Sequence, residues 1–264
     1  MGQSYFSPRL FQFLGQLRRN NRRAWFLKHR PEFEEFARQP SLRFITDLQL
    51  RLRDVSTWLV ADPKPNGGSL FRIHRDVRFS KDKSPYKTHI GMNFWHASAS
   101  ETVHGPGLYL HLEPKGCFLA GGIWQPDPRS LARIRDAIAW KPEDWRAAKR
   151  GLRLGGDTLT RPPRGYCEDH PLIEDLKRKD FIASIDLSQA QVCSGRLIED
   201  FLSASCKMTP LLKFLSEAVK LRFWQSGSAR CRTGAERLIL QSLDSRNRLD
   251  RSKRAVGRLY PTLD

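Results

Sequence analysis

Residues 108–124, LYLHLEPKGCFLAGGIW, decide the fold. Leu108, Leu110 and Leu112 alternate with Tyr109, His111 and Glu113. Side chains two apart on a strand share a face, so this is a strand with one apolar and one polar side. Pro114-Lys115-Gly116 is short enough to close a hairpin onto a second strand starting at Cys117. The alternation extends upstream. In His89 to Trp95, Ile90, Met92 and Phe94 match the apolar side, while His89, Gly91, Asn93 and Trp95 fall on the other. In Ser69 to Arg75, Phe71 and Ile73 read as apolar, and Arg72 and His74 as polar. The segments 69–75, 89–95, 108–113 and 117–124 thus follow one another with period two, and Phe181 to Leu187 reads as one more extended piece.

On either side the period changes to helical. Ser7-Pro8 is an N-cap followed by proline in the first turn, and Leu10, Phe13, Leu14 and Leu17 recur at helical spacing until Asn20-Asn21 breaks the pattern. In RRAWFLKHR, residues 22–30, Trp25 and Phe26 fit the buried side of an amphipathic helix with solvated arginines. Ser41 is placed to cap a helix carrying Phe44, Ile45, Leu48, Leu52 and Val55. Past Pro126-Asp127-Pro128 come a helix with Leu131, Ile134 and Ile138, and another opened by Pro142 and carrying Trp145. Residues 151–167 read as a surface excursion, and Pro171 to Lys179 as a short helix. Arg196 to Arg222 reads as paired helices broken at Thr209-Pro210. The expectation is an α+β fold, a mainly antiparallel sheet of about four to six strands flanked by N-terminal and C-terminal helices.

The chain has 264 residues, with 39% hydrophobic and 10% aromatic residues, which excludes wholesale disorder. Residues 1–222 read as one domain and 223–264 as a basic, weakly patterned tail. No run of about 18 apolar residues and no signal-peptide layout is visible, so a cytoplasmic protein without a membrane partner is expected. Five cysteines without a C-x-x-C pair read as reduced, mostly buried thiols. The net charge is +18, and the tail contributes nine basic against four acidic residues, so residues 1–222 are strongly basic by themselves. Such a field speeds encounter with anionic partners.

Two groups of residues carry candidate chemistry. The polar side of the strands collects Arg72, His74, His89, Asn93, Tyr109, His111 and Glu113 around Gly91 and one of Gly121 or Gly122. Imidazole, amide, phenol and carboxylate around glycine gaps match a pocket floor better than a solvated surface, which favours Lys, Glu and Thr. The second group is Phe71 to His89, FRIHRDVRFSKDKSPYKTH, where cations are set among apolar anchors. Arg72, Arg75, Arg78, Lys83, Tyr86 and Lys87 are the anion-binding candidates, because guanidinium forks match phosphate or carboxylate oxygens and lysine adds mobile charge. Asp76 and Asp82 lie within the same run and read as braces that hold arginines in place.

The segment RIHRDVRFSKDKSPY, residues 72–86, resembles the RxxRDxRFxx[D/N]KxxY signature of a family of bacterial and fungal proteins known as domain of unknown function 2461. PYKTHIGMNF from Pro85 and PGLYLHLEPKGCFLAGGIWQPDP from Pro106 to Pro128 extend the similarity, which runs over about the first 220 residues. The resemblance implies an α+β fold and supplies no catalytic residues. Family members usually end soon after a helix like Leu211 to Leu221, so the chain departs from the pattern from about Phe223 onward.

His74-Arg75-Asp76 matches a kinase catalytic triplet only superficially, since the glycine-rich loop, the V-A-I-K lysine and D-F-G are missing. The phosphate loop, the dinucleotide fingerprint, the G-x-S-x-G elbow and H-E-x-x-H are missing too. The leading expectation is therefore a basic pocket for a phosphate-bearing small molecule or nucleotide, with hydrolytic or transfer chemistry by His111, Glu113 and His89 left open. No cofactor is required, although His111 and Glu113, completed by His89 or His74, offer ligands to a divalent metal. The rivals are a non-catalytic nucleic-acid binding module and an interaction domain without a ligand.

Overall fold

The computed structural model describes residues 4–99 and 105–223. Helix α1 (Pro8–Arg19) buries Leu10, Phe11, Phe13, Leu14 and Leu17 and stops at Asn20, and α2 (Arg23–Lys28) follows with Phe26 buried. Helix α3 (Arg30–Phe33) passes through a π-helical turn, Glu34–Arg38, directly into α4 (Gln39–Arg51). Ser41 does not cap α4. It is fully buried inside the helix, and its hydroxyl donates to the Ala37 carbonyl at 2.7 Å. Pro40 accounts for this, because it lacks the N–H that closes an ordinary helical turn and the wider π turn before it absorbs the defect.

The strands are β1 (Ile90–Phe94), β2 (Gly107–Leu112) and β3 (Cys117–Ile123), followed by α5 (Pro128–Trp140) and α6 (Pro142–Ala148). Then come β4 (Leu154–Gly155), α7 (Ile173–Leu176), β5 (Phe181–Leu187), α8 (Gln189–Val192) and α9 (Leu197–Ala218). The fold is α+β, an antiparallel five-stranded sheet in the order β1-β2-β3-β5-β4 with helices at both ends of the described chain. Part of the expected surface excursion is drawn into the sheet, since Leu154 pairs with Ala183 at its edge. No helix among the described residues is long and apolar enough to cross a membrane.

Instead of two helices broken at Thr209-Pro210, α9 is one helix of 22 residues with Pro210 inside it. An interior proline costs about 3 kcal/mol. Beyond it Leu211, Leu212, Phe214 and Leu215 are all buried, and each recovers about 1.5–3 kcal/mol by leaving water. Burial wins, and the helix continues. Met208 on this helix lies against Gly121 of β3, where a Cβ would come within 3.0 Å of its sulfur.

The alternation of β1 and β2 emerges as read. Ile90, Met92, Phe94, Leu108, Leu110 and Leu112 are all buried in the core, while Tyr109 and His111 stand half-buried on the opposite, open face. The segment expected as a first strand, 69–75, behaves differently. It touches β1 only through the Leu70–Met92 bridge, with the Phe71 N–H donating to the Gly91 carbonyl and the Asn93 N–H to the Ser69 carbonyl. It then leaves β1 and pairs with its own return limb, through the Arg75 N–H to Pro85 and the Lys87 N–H to Ile73. This change of partner breaks the period at Arg72. Leu70 and Ile73 are buried, whereas Phe71 is 43% exposed and lies 5.8 Å from the Tyr109 ring on the open face, not on the apolar side as expected.

Phe223 is buried, and its carbonyl accepts from the Ser56 hydroxyl at 2.5 Å. The core therefore extends one residue past the boundary read at 222, and the rest of the expected tail lies outside the described residues. Cys117, Cys167 and Cys193 are free, with Cys117 buried and Cys167 exposed. Cys206 is disulfide-bonded, against the expectation of reduced thiols throughout.

Candidate functional site

The break after α1 fixes the basic loop. Asn21, just past the Asn20 cap of α1, donates its side-chain amide to the Tyr86 carbonyl at 2.9 Å and accepts the Tyr86 N–H at 3.1 Å. Tyr86 is itself buried and stacks on Phe26 of α2 at 4.1 Å between ring centroids. With that anchor, the end of α1, the loop and the approach to β1 enclose a cleft of about 410 Å³. Arg18, Asn21, Arg75, Asp82, Ser84, Tyr86, Lys87, Thr88 and His89 line it.

Asp82 forms an ion pair with Arg75, and it also accepts the Ser84 N–H at 2.9 Å in a tight local turn. The Ser84 hydrogen bonds, followed by the Arg75 guanidinium, hold the Asp82 carboxyl well below the usual carboxylate range. The Ser80 hydroxyl is a second partner of Arg75, at 3.3 Å. Arg75 is thus oriented and partly neutralised. Arg18 and Lys87 differ, because among the described residues neither has a carboxylate partner. Burial, and then the charge of Arg72, lower the Lys87 ammonium pKa, and its Nζ sits 5.1 Å above the Phe71 ring.

The remaining loop residues point elsewhere. Arg78 is bidentate on Asp76, with Nε–Oδ1 at 3.0 Å and Nη2–Oδ2 at 2.6 Å, and is 76% exposed away from the cleft. Lys83 is turned onto the Val77 carbonyl at 3.0 Å. Arg72 is exposed and does not line the cleft. Of the anion-binding candidates, the structure gathers Arg75, Tyr86 and Lys87 into one cavity and leaves Arg72, Arg78 and Lys83 outside. His74 packs against Tyr86 at 5.1 Å, on the far limb of the loop.

His89 is the hinge between the cleft and the sheet's open face. Its ring lies 4.4 Å from that of His111, which stacks on Phe118 of β3 at 4.7 Å and 10°. The ladder pairs His111 with Gly91 on β1. The missing Cβ there is used by Tyr109, since one added at Gly91 would lie 2.6 Å from the phenol oxygen. The Tyr109 hydroxyl is 3.2 Å from Nδ1 of His111, and Nε2 of His111 is 3.7 Å from a Glu113 oxygen. Burial pushes the Tyr109 pKa up to about 12, with Glu113 adding to the effect, so the phenol stays protonated. Burial, with His111 and Lys87 assisting, lowers His89 to about 4. Burial likewise depresses His111 while Glu113 opposes it. Both rings are therefore neutral at pH 7.

His89, His111 and Glu113 thus come together, and His89 alone of the three lines the cleft. Sequence reasoning missed Arg18, Asn21, Ser84 and Thr88. The helix break at Asn20-Asn21 and the arginines preceding it were visible, but their distance from residue 86 was not. A family model of conserved hypothetical proteins (DUF2461) matches residues 9–214. No curated protein and no solved structure matches the chain.

Proposed function

The chain belongs to the DUF2461 family of conserved hypothetical proteins, and from that premise we propose that the cleft beside His89 binds a phosphate-bearing small molecule, a nucleotide being of suitable size. The observation that carries this reading is the convergence of Arg18, Arg75 and Lys87 on one cavity, with the first and last lacking any carboxylate partner among the described residues. Asp82 neutralises only part of the charge of these three cations, and an anion placed among them relieves the repulsion that remains. Asp82 holds the Arg75 fork ready, which lowers the ordering cost of binding. The Thr88 hydroxyl and the Asn21 amide add neutral donors around the same space. His111 and Glu113, reached through His89, are the groups from which hydrolytic or transfer chemistry on a bound phosphoryl group is expected.

A thermal-shift screen of nucleotides, sugar phosphates and inorganic phosphates against the full chain tests this. Phosphate-bearing compounds raise Tm with the logarithm of ligand concentration over dissociation constant, and the non-phosphorylated counterparts do not. Equal shifts from both sets sink the reading.

One observation favours a second reading, a nucleic-acid binding module. Phe79 is 96% exposed at the loop tip with the Arg78 guanidinium 5.8 Å from its ring, an arrangement suited to stacking on an unpaired base. The two readings differ in salt dependence. Contacts to several phosphates of a single strand lower affinity with a log–log slope of about 0.7 per phosphate, so the total slope rises to several, whereas a cleft holding one phosphate shows a slope of about one.

A further inference from the structure

We propose that His89, His111 and Glu113 form a divalent-metal site of the two-imidazole, one-carboxylate type. One ligand atom from each lies within 4.8 Å of the other two. Metal–nitrogen and metal–oxygen bonds of about 2.0–2.2 Å at tetrahedral angles separate ligand atoms by about 3.3 Å. The His111–Glu113 pair is already at 3.7 Å, so side-chain rotation alone closes the set. The sheet supplies the rest of the geometry. His111 and Glu113 are two apart on and just past β2, and His111 stands opposite Gly91, two residues beyond His89. Neighbouring strands joined by a continuous ladder therefore hold all three.

The tautomer of His111 follows from Tyr109. When Nδ1–H donates to the phenol oxygen 3.2 Å away, Nε2 turns its lone pair towards the Glu113 side. An outer hydrogen bond of this kind commonly orients a metal-bound imidazole. Two imidazoles and one carboxylate favour zinc, manganese or iron(II) over calcium or magnesium, and they leave coordination positions open, as in catalytic rather than structural sites. One carboxylate neutralises only part of a divalent charge, and Lys87 and Arg75 add positive potential at His89. A bound anion in the adjoining cleft offsets that excess, so metal and phosphate strengthen each other reciprocally. This coupling rests on the anion reading above. The metal site itself does not.

The test is calorimetric titration of Zn²⁺ into the chelator-treated full chain, repeated with Co²⁺ for its visible spectrum. One equivalent is expected in the wild type, weakened at least about tenfold in His111→Ala, His89→Ala and Glu113→Gln, and about tenfold in Tyr109→Phe. Glu113→Gln preserves shape and reads the site even if a histidine variant fails to fold. Undiminished stoichiometry and affinity in these variants, or a cobalt spectrum dominated by thiolate bands, overturns the proposal, as does a wild type that takes up no metal. Anion binding measured in chelator is unaffected by any of these outcomes, so the two proposals fail separately.

Discussion

The two faces of the sheet are built on different terms. On the core face Met92, Phe94, Leu108, Leu110, Leu112 and Leu119 are wholly buried, and each is held by being apolar and of suitable size. On the open face His89, Tyr109, His111 and Phe118 are half-buried, and each is held by a particular neighbour at a particular distance. The first arrangement yields stability. The second orders polar groups around His89, and on the reading proposed above that order serves a ligand rather than the fold. Substitutions on the two faces should therefore separate into those that move stability and those that move binding.

The largest effect is expected on the core face. Leu110→Ala should destabilise the protein by about 2–5 kcal/mol in urea unfolding, through lost transfer energy and the cavity left behind. His111→Ala should cost far less, and an equal cost would erase the distinction between the faces. Next come two adjacent glycines on opposite faces. Gly122 has φ +141° and a Cβ there would run into the Phe181 carbonyl, whereas Gly121 faces the flexible ends of Met208 and Leu108. Gly122→Ala should cost on the order of 1–3 kcal/mol as backbone strain, with Gly121→Ala the milder of the two in the same assay.

A smaller effect is expected at Gly91→Ala, where the new methyl displaces the Tyr109 phenol and breaks its bond with His111. The stability loss should be about 1 kcal/mol, and Zn²⁺ affinity should fall as it does in Tyr109→Phe. Smallest is a change in pH dependence at His96, which is buried with Nε2 donating to the Arg222 carbonyl and Nδ1 accepting the Ser98 N–H. Burial lowers its pKa below the ordinary histidine value of 6.5. The unfolded chain therefore binds the proton first, and the stability this ring contributes is complete above that value and declines as pH falls below it. His96→Asn should flatten part of the acid limb in thermal melts between pH 7 and 5. An unchanged slope would mean that His96 does not carry this dependence.

The core face was legible because it depends only on alternation. Leu108 to Leu112 and Ile90 to Phe94 show their facing in any window of five residues. The segment around Phe71 was misread for a physical reason, since it changes hydrogen-bonding partner at Arg72 and a period carried past that point assigns the wrong side. Pro210 misled in a similar way, because the local cost of proline was visible and the apolar face beyond it was the stronger term. The cleft was half legible. The cationic loop and its aspartates stand in one stretch of sequence, but the turns at Asp76 and Asp82 that swing Arg78 and Lys83 outward are set by side-chain bonds to the Arg78 and Ser84 amides. Arg18 was beyond reach, because contacts across some 65 residues, the Asn21–Tyr86 clamp and the Phe26–Tyr86 stack, bring α1 to the loop.

Arg18 is consequently the sharpest probe of the cleft. Pyrophosphate or ATP should be titrated calorimetrically, in chelator, into the full chain and into Arg18→Ala. An exposed helix-end arginine with no carboxylate partner among the described residues contributes little to folding, so Tm should hold, while the loss of one charge-assisted contact of about 1.5–3 kcal/mol should weaken binding about 10- to 100-fold. Equal affinity in the two proteins would contradict the account, because the cation brought from farthest in sequence to the proposed site would then play no part in it.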